Sequence, residues 1–165
     1  MSRRITKVYV HCSASAFGDA AAIDVWHESR GFRSKTGKHI GYHYVVLNGR
    51  RYVVIDPSTG RAEAPYEPSC DGAVETGRAE DEAGAHVEGD NADSIGVCMI
   101  GLNGLFTVAQ VRSAVCLIKD ILVRYGLSWT AVHGHYEAPT AVAAGKTCPD
   151  FRIDTFRALM RGSSD

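Results

Sequence analysis

The chain has 165 residues, of which 45% are hydrophobic and 22% charged, and its formal net charge is -1. This length suits one domain with a single hydrophobic core, and the composition is that of an ordinary globular protein. The balanced charge excludes a general electrostatic attraction to nucleic acid. No run approaches the ~18 apolar residues of a membrane span, and the short start is not a signal peptide. We therefore expect the protein to be made and folded in a cytosol.

The N-terminal part of the chain predicts a strand followed by a capped helix. Residues 5–10 are apolar, β-branched and aromatic, and they lead directly into His11. This is the pattern of a buried strand that ends in a polar loop. Asp19 is a suitable cap for a helix over residues 20–29. A lone histidine at a strand end is more often structural than functional, so His11 needs partners elsewhere to form a site.

A β-hairpin is predicted next. Residues 41–47 have a strand pattern, and Asn48-Gly49 is the strongest hairpin signal in the chain. Residues 52–55 are therefore expected to pair with this strand. Residues 56–71 contain three prolines and predict an irregular loop, and residues 73–76 predict another short strand.

A buried strand and a long helix are predicted after this loop. Residues 95–100 are apolar throughout, which favours a central strand covered on both faces. Thr107 and Gln110 form a capping box for a helix that extends to Tyr125, and Gly126 ends it. The interleaved strands and helices predict an α/β fold, with residues 1–165 as a single domain.

The C-terminal region predicts a short strand over residues 129–133, which leads to His135. Pro149 suits the first turn of a final helix that extends to residue 160. Three of its side chains are expected to face inward: Phe151, Phe156 and Leu159.

The cysteines are an odd set without the spacing of a disulfide framework; they are Cys12, Cys70, Cys98, Cys116 and Cys148. Cys98 lies in an apolar run and Cys116 in an apolar helical pattern, so both are expected to be small core residues. Cys148 lies instead in a polar loop bounded by glycine and proline, which core packing does not explain.

Three donors on loops or strand ends could form a metal site: His11, His135 and Cys148. Imidazole and thiolate are ligands that zinc favours, and three protein ligands with an open fourth position are typical of catalytic zinc. Chance placement of these residue types near loops is the alternative. A Cys12 nucleophile beside His11 is a further possibility, but neighbouring residues of a strand point to opposite faces.

Six short segments occur in the order found in a known family: Val10-His11-Cys12-Ser13-Ala14, Gly41-Tyr42-His43-Tyr44, Gly84-Ala85-His86, Asn91 with Ser94-Ile95-Gly96-Val97-Cys98, Gly134-His135-Tyr136-Glu137-Ala138-Pro139 and Lys146-Thr147-Cys148-Pro149. They resemble the zinc-dependent N-acetylmuramoyl-L-alanine amidases, a group that includes phage amidase-type lysozymes and peptidoglycan recognition proteins. The similarity extends from about Val8 to Phe151. It implies a central mixed β-sheet flanked by α-helices.

The resemblance implies a role for each matching residue. His11, His135 and Cys148 would bind one Zn²⁺ ion, Tyr42 and Lys146 would assist catalysis, and His86 would bind substrate on the cleft wall. The substrate would be bacterial peptidoglycan or a muropeptide, cut between N-acetylmuramic acid and the L-alanine of the stem peptide. Glu137, two residues beyond a ligand, is expected to support the site rather than to act as a base.

The chain departs from the family pattern around residues 48–70, where about twenty extra residues form a predicted insertion. This makes it possible that the Asn48-Gly49 signal belongs to an inserted sub-hairpin, and we expect the insertion to border the cleft. A monomeric phage or prophage endolysin, released from the host cytoplasm to act on the cell wall, is the favoured interpretation.

Several alternatives remain at this point. They are a muropeptide-binding module that does not cut, a cytosolic wall-recycling amidase, and a toxin exported by a dedicated machine. Polymerase binding, which occurs in some phage amidases, is disfavoured because only about four residues precede the first strand.

Overall fold

A mixed five-stranded β-sheet lies at the centre of the computed structural model, which describes residues 3–161. In chain order the strands are β1 (Lys7–Cys12), β2 (Tyr44–Asn48), β3 (Val54–Ile55), β4 (Ala62–Glu63), β5 (Asp71–Thr76), β6 (Ser94–Met99) and β7 (Val132–Gly134). The order across the sheet is β5-β2-β6-β1-β7, with β3 and β4 in a separate ribbon. β5 is antiparallel to β2, and the other neighbours in the sheet are parallel.

Helices cover both faces of this sheet, which confirms the predicted fold class. The helices are α1 (Ala20–Glu28), α2 (Val108–Tyr125), α3 (Pro139–Ala143) and α4 (Ile153–Arg161). Val97 and Met99 pack in one cluster with residues of α2 and α4, whereas the alternate residue Cys98 packs in the cluster that contains Ile23 of α1. Every residue of β6 is buried, as expected for a central strand. None of the described helices is long and apolar enough to cross a membrane.

The helix signals in the sequence are confirmed. The Ala22 amide donates to Asp19 Oδ1 over 2.8 Å at the start of α1. Thr107 and Gln110 exchange both bonds of the capping box at the start of α2. Gly126 ends α2 with a φ of 64°, a left-handed conformation that glycine adopts without the steric cost of a side chain.

The predicted pairing of residues 52–55 with β2 is wrong. β2 pairs with β5, with Tyr44 opposite Thr76, whereas β3 pairs with β4. Gly49 has a φ of 78° and accepts a hydrogen bond from the Glu67 amide at its carbonyl. The chain therefore leaves the sheet at Gly49 and returns near Glu67. Asn48-Gly49 does not form a two-residue hairpin turn; it begins a long excursion over residues 49–67.

Three predictions for the C-terminal half and α2 also need correction. The final helix begins at Ile153 and not at Pro149, because residues 149–152 continue the loop after Cys148. Phe156 is buried as predicted, but Leu159 is 46% exposed and Met160 takes its expected place on the inner face of α4. Cys98 is buried as expected, but Cys116 lies on the exposed side of α2.

The boundaries of β1 and β7 differ by a few residues from those that the sequence predicts. β1 extends to Cys12, so His11 belongs to the strand and not to the loop after it. A 3-10 turn, Trp129–Ala131, occupies most of the predicted strand at residues 129–133, and β7 follows it.

Glu80 connects β2 and α2 and provides a test of the packing between them. Its carboxylate accepts hydrogen bonds from the hydroxyls of Tyr44 and Tyr125 and from Arg124. Burial alone would raise the pKa of Glu80, but these three donors outweigh burial and lower the pKa to about 2. A lowered carboxyl pKa contributes stability above the unfolded value of about 4.3, and this stability is lost as the pH falls towards 2.

We predict that Glu80→Gln lowers the free energy of unfolding by about 1–3 kcal/mol at pH 7, since it removes a charge-assisted network. The difference from the unmodified protein should shrink as the pH falls from about 5 to 2. Denaturant unfolding at a series of pH values measures it, with Glu63→Gln on the exposed ribbon as control. A difference that stays constant down to pH 2 would contradict the assignment.

Candidate metal centre

Three potential metal donors meet at the carboxyl-terminal edge of the sheet. β1 pairs in parallel with both β6 and β7, so the chain leaves all three strands at the same edge. His11 is the penultimate residue of β1, and His135 directly follows β7 at the start of a 3-10 turn. Cys148 lies in the loop between α3 and α4. One donor atom from each residue lies within 4.8 Å of the other two.

The Cys148 thiol is fixed against the first strand. The Cys12 amide donates a hydrogen bond to Cys148 Sγ over 3.2 Å, and His11 Nδ1 lies 3.8 Å from the same sulfur. The Tyr136 amide donates to the Cys148 carbonyl over 2.9 Å. These contacts hold the loop against both β1 and the turn that carries His135.

Asp150 ties the same loop to a further segment. It accepts hydrogen bonds from Thr147 Oγ1 over 2.7 Å and from the Asn103 amide over 3.1 Å. The Cys12 thiol also lies 3.5 Å from its carboxylate. The ring nitrogens of His11 face other partners, His86 and Cys148. His11 is therefore not placed to act as a base for the Cys12 thiol, which argues against the Cys12–His11 nucleophile.

The imidazoles of the centre are neutral near pH 7. Burial lowers the pKa of His11 well below its usual value, and positive charge on His86 or His135 would lower it further. Burial and the ammonium of Lys146 lower the pKa of His135 to about 4. Because a metal binds the neutral imidazole, both rings are in the form that a ligand requires.

The spacing of the donors fits a tetrahedral metal ion. Bond lengths of about 2.0–2.1 Å to nitrogen and 2.3 Å to sulfur place tetrahedral donors about 3.3–3.6 Å apart. The distance of 3.8 Å between His11 Nδ1 and Cys148 Sγ is close to this value. All donor separations lie within 4.8 Å, so closure by at most about 1.5 Å would bring the whole set to tetrahedral spacing. Three donors leave a fourth position open.

A cleft with a volume of about 420 Å³ opens beside the donor His135; its lining includes Phe32, His86, His135, Thr140 and Lys146. Lys146 is exposed, and its charge lowers the pKa of both His11 and His135. The lysine singled out by the sequence therefore stands at the cleft, close to the candidate centre.

Tyr42 packs against His11, with 5.0 Å between the ring centroids. Burial raises the pKa of Tyr42 well above its usual value, and negative charge on Cys98 or Cys148 would raise it further. Its hydroxyl is therefore protonated at neutral pH and is able to donate a hydrogen bond, but it is a poor base.

Two histidines to which the sequence assigned no role stabilise the backbone around the site. The Gly41 amide donates to His27 Nδ1, and the Gly96 amide donates to His43 Nδ1, each over 2.9 Å. Burial is the main cause that lowers the pKa of each ring to about 4. Helix or strand periodicity predicts that such residues are buried, but it does not reveal which backbone group they bind.

Glu137 supports the turn that carries His135. Its carboxylate accepts a hydrogen bond from the Gly134 amide over 3.2 Å and pairs with Arg157 over 2.8 Å. His133 Nδ1 lies 3.4 Å from the same carboxylate. This arrangement matches the supporting role expected for Glu137 and links the turn to α4.

An α/β fold with three convergent donors beside an open cleft is typical of a metal-dependent hydrolase. The chain belongs to the N-acetylmuramoyl-L-alanine amidase family, whose model matches residues 1–151. This confirms the family resemblance inferred from the six ordered segments.

Curated relatives include endolysins of two phages. The endolysin of Klebsiella phage KP32 is 30% identical over 158 residues, which cover 90% of this chain and 82% of that protein. The endolysin of Escherichia phage T7 is 29% identical over 156 residues, which cover 88% of this chain and 81% of that protein.

Solved structures with the same fold include an amidase and a recognition protein. The N-acetylmuramoyl-L-alanine amidase LysC from Clostridium intestinale URNW has a TM-score of 0.71 at 20% identity, covering 96% of this chain and 87% of that chain. Drosophila peptidoglycan recognition protein SD has a TM-score of 0.63 at 16% identity, covering 99% and 83%. At these identities the likeness establishes the fold alone.

The bonds of Asp150 predict how firmly the Cys148 loop is held. Asp150→Ala should lower the free energy of unfolding by about 1–3 kcal/mol, because it removes several acceptors and places alanine at a φ of 66°. Asp150→Asn should cost less, since asparagine tolerates this conformation and keeps one acceptor. Denaturant unfolding with chelator present measures both variants. The exposed Asp154→Ala is the control, and an equal effect of Asp150→Ala and Asp154→Ala would refute the anchoring role.

Proposed function

We propose that this amidase is a zinc-dependent endolysin. It would hydrolyse the amide between the lactyl group of N-acetylmuramic acid and the L-alanine of the stem peptide in bacterial peptidoglycan. The observation that carries the proposal is the convergence of His11, His135 and Cys148 within 4.8 Å, with His135 also lining a cleft, in a chain of the amidase family. The two phage endolysins that align with most of the chain support the lytic role.

Zinc is the ion that suits this donor set best. Two neutral imidazoles and one thiolate are borderline to soft ligands, which favour zinc over magnesium or calcium. A bound zinc ion supplies a Lewis acid that polarises a carbonyl group and makes water nucleophilic near neutral pH. We assign one ion per chain to His11, His135 and Cys148.

Lys146 is proposed to stabilise negative charge that develops on the substrate carbonyl oxygen. Its ammonium is exposed at the cleft, so it is free to meet a substrate. A positive charge positioned at a developing oxyanion lowers the barrier of acyl-transfer reactions. Tyr42 is proposed as a hydrogen-bond donor next to His11, because its phenol remains protonated at neutral pH.

The proposal also covers the setting in which the enzyme acts. We assign it as a monomer that is made in the host cytoplasm and reaches the peptidoglycan after release. The endolysin relatives support the proposed action on the cell wall.

The excursion after β2 is proposed to make a second contact with the glycan or stem peptide. Asn48, Arg50 and Tyr66 line a separate cavity of about 380 Å³ together with Leu105 and Phe106. Several side chains of this segment are exposed and apolar or aromatic; they are Tyr52, Val53, Val54, Ile55 and Tyr66. Such surfaces are typical of binding sites.

Replacing residues 50–66 with a short glycine linker should weaken binding to cell walls while cleavage of a small muropeptide is retained. Unchanged binding to cell walls would show that this segment does not contribute to substrate recognition.

The reaction itself is tested by the products formed from purified peptidoglycan. We expect new L-alanine amino termini, and we expect chelator to abolish their release and added zinc to restore it. Cys148→Ala and His11→Ala should each lose zinc and activity together. New reducing sugar ends would identify a glycosidase instead. Tight wall binding without any cleavage would identify a recognition module.

Lys146→Arg is predicted to lower kcat by about 10²–10³-fold, the usual cost of losing one oxyanion-stabilising group. Arginine keeps the charge but replaces a compact ammonium with a planar fork. Zinc content should not change, because Lys146 is not a proposed ligand. Lys35→Arg on an exposed loop is the control. Normal turnover of Lys146→Arg would exclude Lys146 from the mechanism.

A further inference from the structure

His86 is a buried ring that faces the candidate ligand His11. It is 8% exposed, and its Nδ1 lies 3.1 Å from His11 Nε2. The two rings meet edge to face at 83°, with centroids 5.1 Å apart. The other nitrogen of His11, Nδ1, is the one that faces Cys148 Sγ. One nitrogen of His11 therefore points to the candidate centre and the other points to His86.

We propose that His86 is a positioning residue, which accepts a hydrogen bond from His11 Nε2 and so holds His11 ready to bind the metal through Nδ1. This inference rests on the proposed metal centre. A neutral imidazole carries one proton, and a ligand nitrogen must carry none. If Nδ1 of His11 binds the metal, its proton is on Nε2, and Nδ1 of His86 is the acceptor within reach. Partners of this kind orient a ligand ring and fix its tautomer.

The surroundings of His86 hold the ring in this position. The amides of His86 and Val87 both donate to Asn91 Oδ1, over 2.8 and 2.9 Å. A Cβ atom at Gly96 would lie 2.7 Å from Cγ of His86, and one at Gly84 would lie 2.3 Å from Cδ2. Glycine at these two positions leaves the space that the ring occupies over β6. The segments around Gly84, Asn91 and Gly96 thus act together to place one imidazole.

The second nitrogen of His86 shows that burial of this ring is costly. Nε2 has no hydrogen-bond partner among the described residues and is shielded from solvent. When His86 accepts at Nδ1, its own proton is on this unpartnered Nε2. An apolar side chain would fill the same space without that penalty. The bond to His11 gives a reason for a histidine here that packing does not give, and it connects this residue of the cleft lining to the metal centre.

The experiment compares His86→Asn with His86→Leu. These two side chains have nearly the same shape, but only asparagine has an oxygen close to the position of Nδ1. The zinc affinity of each purified variant is measured by competition with a chromophoric chelator, and the Co²⁺ form is examined for its thiolate and d–d absorption bands. Cleavage of a muropeptide gives kcat and KM, and unfolding in chelator reports on the fold without metal.

We expect His86→Leu to weaken zinc binding by about 10–100-fold, as for other residues that orient a metal ligand, and to alter the Co²⁺ spectrum. His86→Asn should stay within about threefold of the unmodified protein. Equal losses in both variants would mean that the ring only fills space, and unchanged affinity in both would remove the role. A raised KM with unchanged zinc affinity would make His86 a substrate contact. Each of these three outcomes overturns the inference.

Nitrogen NMR of the unmodified zinc-loaded protein tests the same point without a substitution. Protons on Nε2 of both His11 and His86 support the inference, and a proton on Nδ1 of His86 overturns it. Failure of the unmodified protein to bind zinc would contradict the proposed function itself, so the two failures are distinguishable.

Discussion

The hydrogen bond from the Cys12 amide to Cys148 Sγ is the contact on which the candidate site depends. It joins positions 136 residues apart, and it brings the end of the first strand to the C-terminal loop. Parallel pairing of β1 with β7, in which Val10 lies opposite Gly134, sets the position of His135 relative to His11. Since no single local segment contains all three donors, the site exists only in the folded chain.

Burial divides the site into a neutral interior and a charged rim. His11, His43 and His86 are all buried, and burial lowers the pKa of each ring. Lys146 at the cleft is exposed. A cation that binds in this interior would therefore meet neutral nitrogens and one sulfur, and substrate would meet the ammonium first. Neutral donors suit a metal ion, and the ammonium suits a substrate oxygen that gains negative charge.

The sequence predicted those features that depend on local chemistry. The Asp19 cap, the Thr107–Gln110 box and the uniformly apolar β6 each follow from short-range preferences, and each is present in the structure. Ordered motifs also identified the family, and three donors that the family implies lie together. Their role as ligands stays a prediction until an ion is observed.

The remaining features depend on contacts between distant segments. Asn48-Gly49 has a strong preference for a tight turn, but β5 pairs with β2 and the turn became an excursion. Pro149 is compatible with a helix start, yet the chain turns after Cys148, with Asp150 at a φ of 66°, and the helix begins only at Ile153. The contact of His86 with His11 spans 75 residues. Neither hydrophobic periodicity nor a capping pattern predicts such a contact, so only the structure reveals that His86 and His11 are within hydrogen-bonding distance.

X-ray absorption at the zinc edge tests the proposed centre most directly. One zinc ion per chain, with a single sulfur at about 2.3 Å and nitrogen or oxygen neighbours at about 2.0–2.1 Å, is the expected result. The sulfur contribution should disappear in Cys148→Ala, together with most of the bound metal. A zinc shell without sulfur, or a shell that Cys148→Ala leaves unchanged, would contradict the assignment of His11, His135 and Cys148 as the metal ligands.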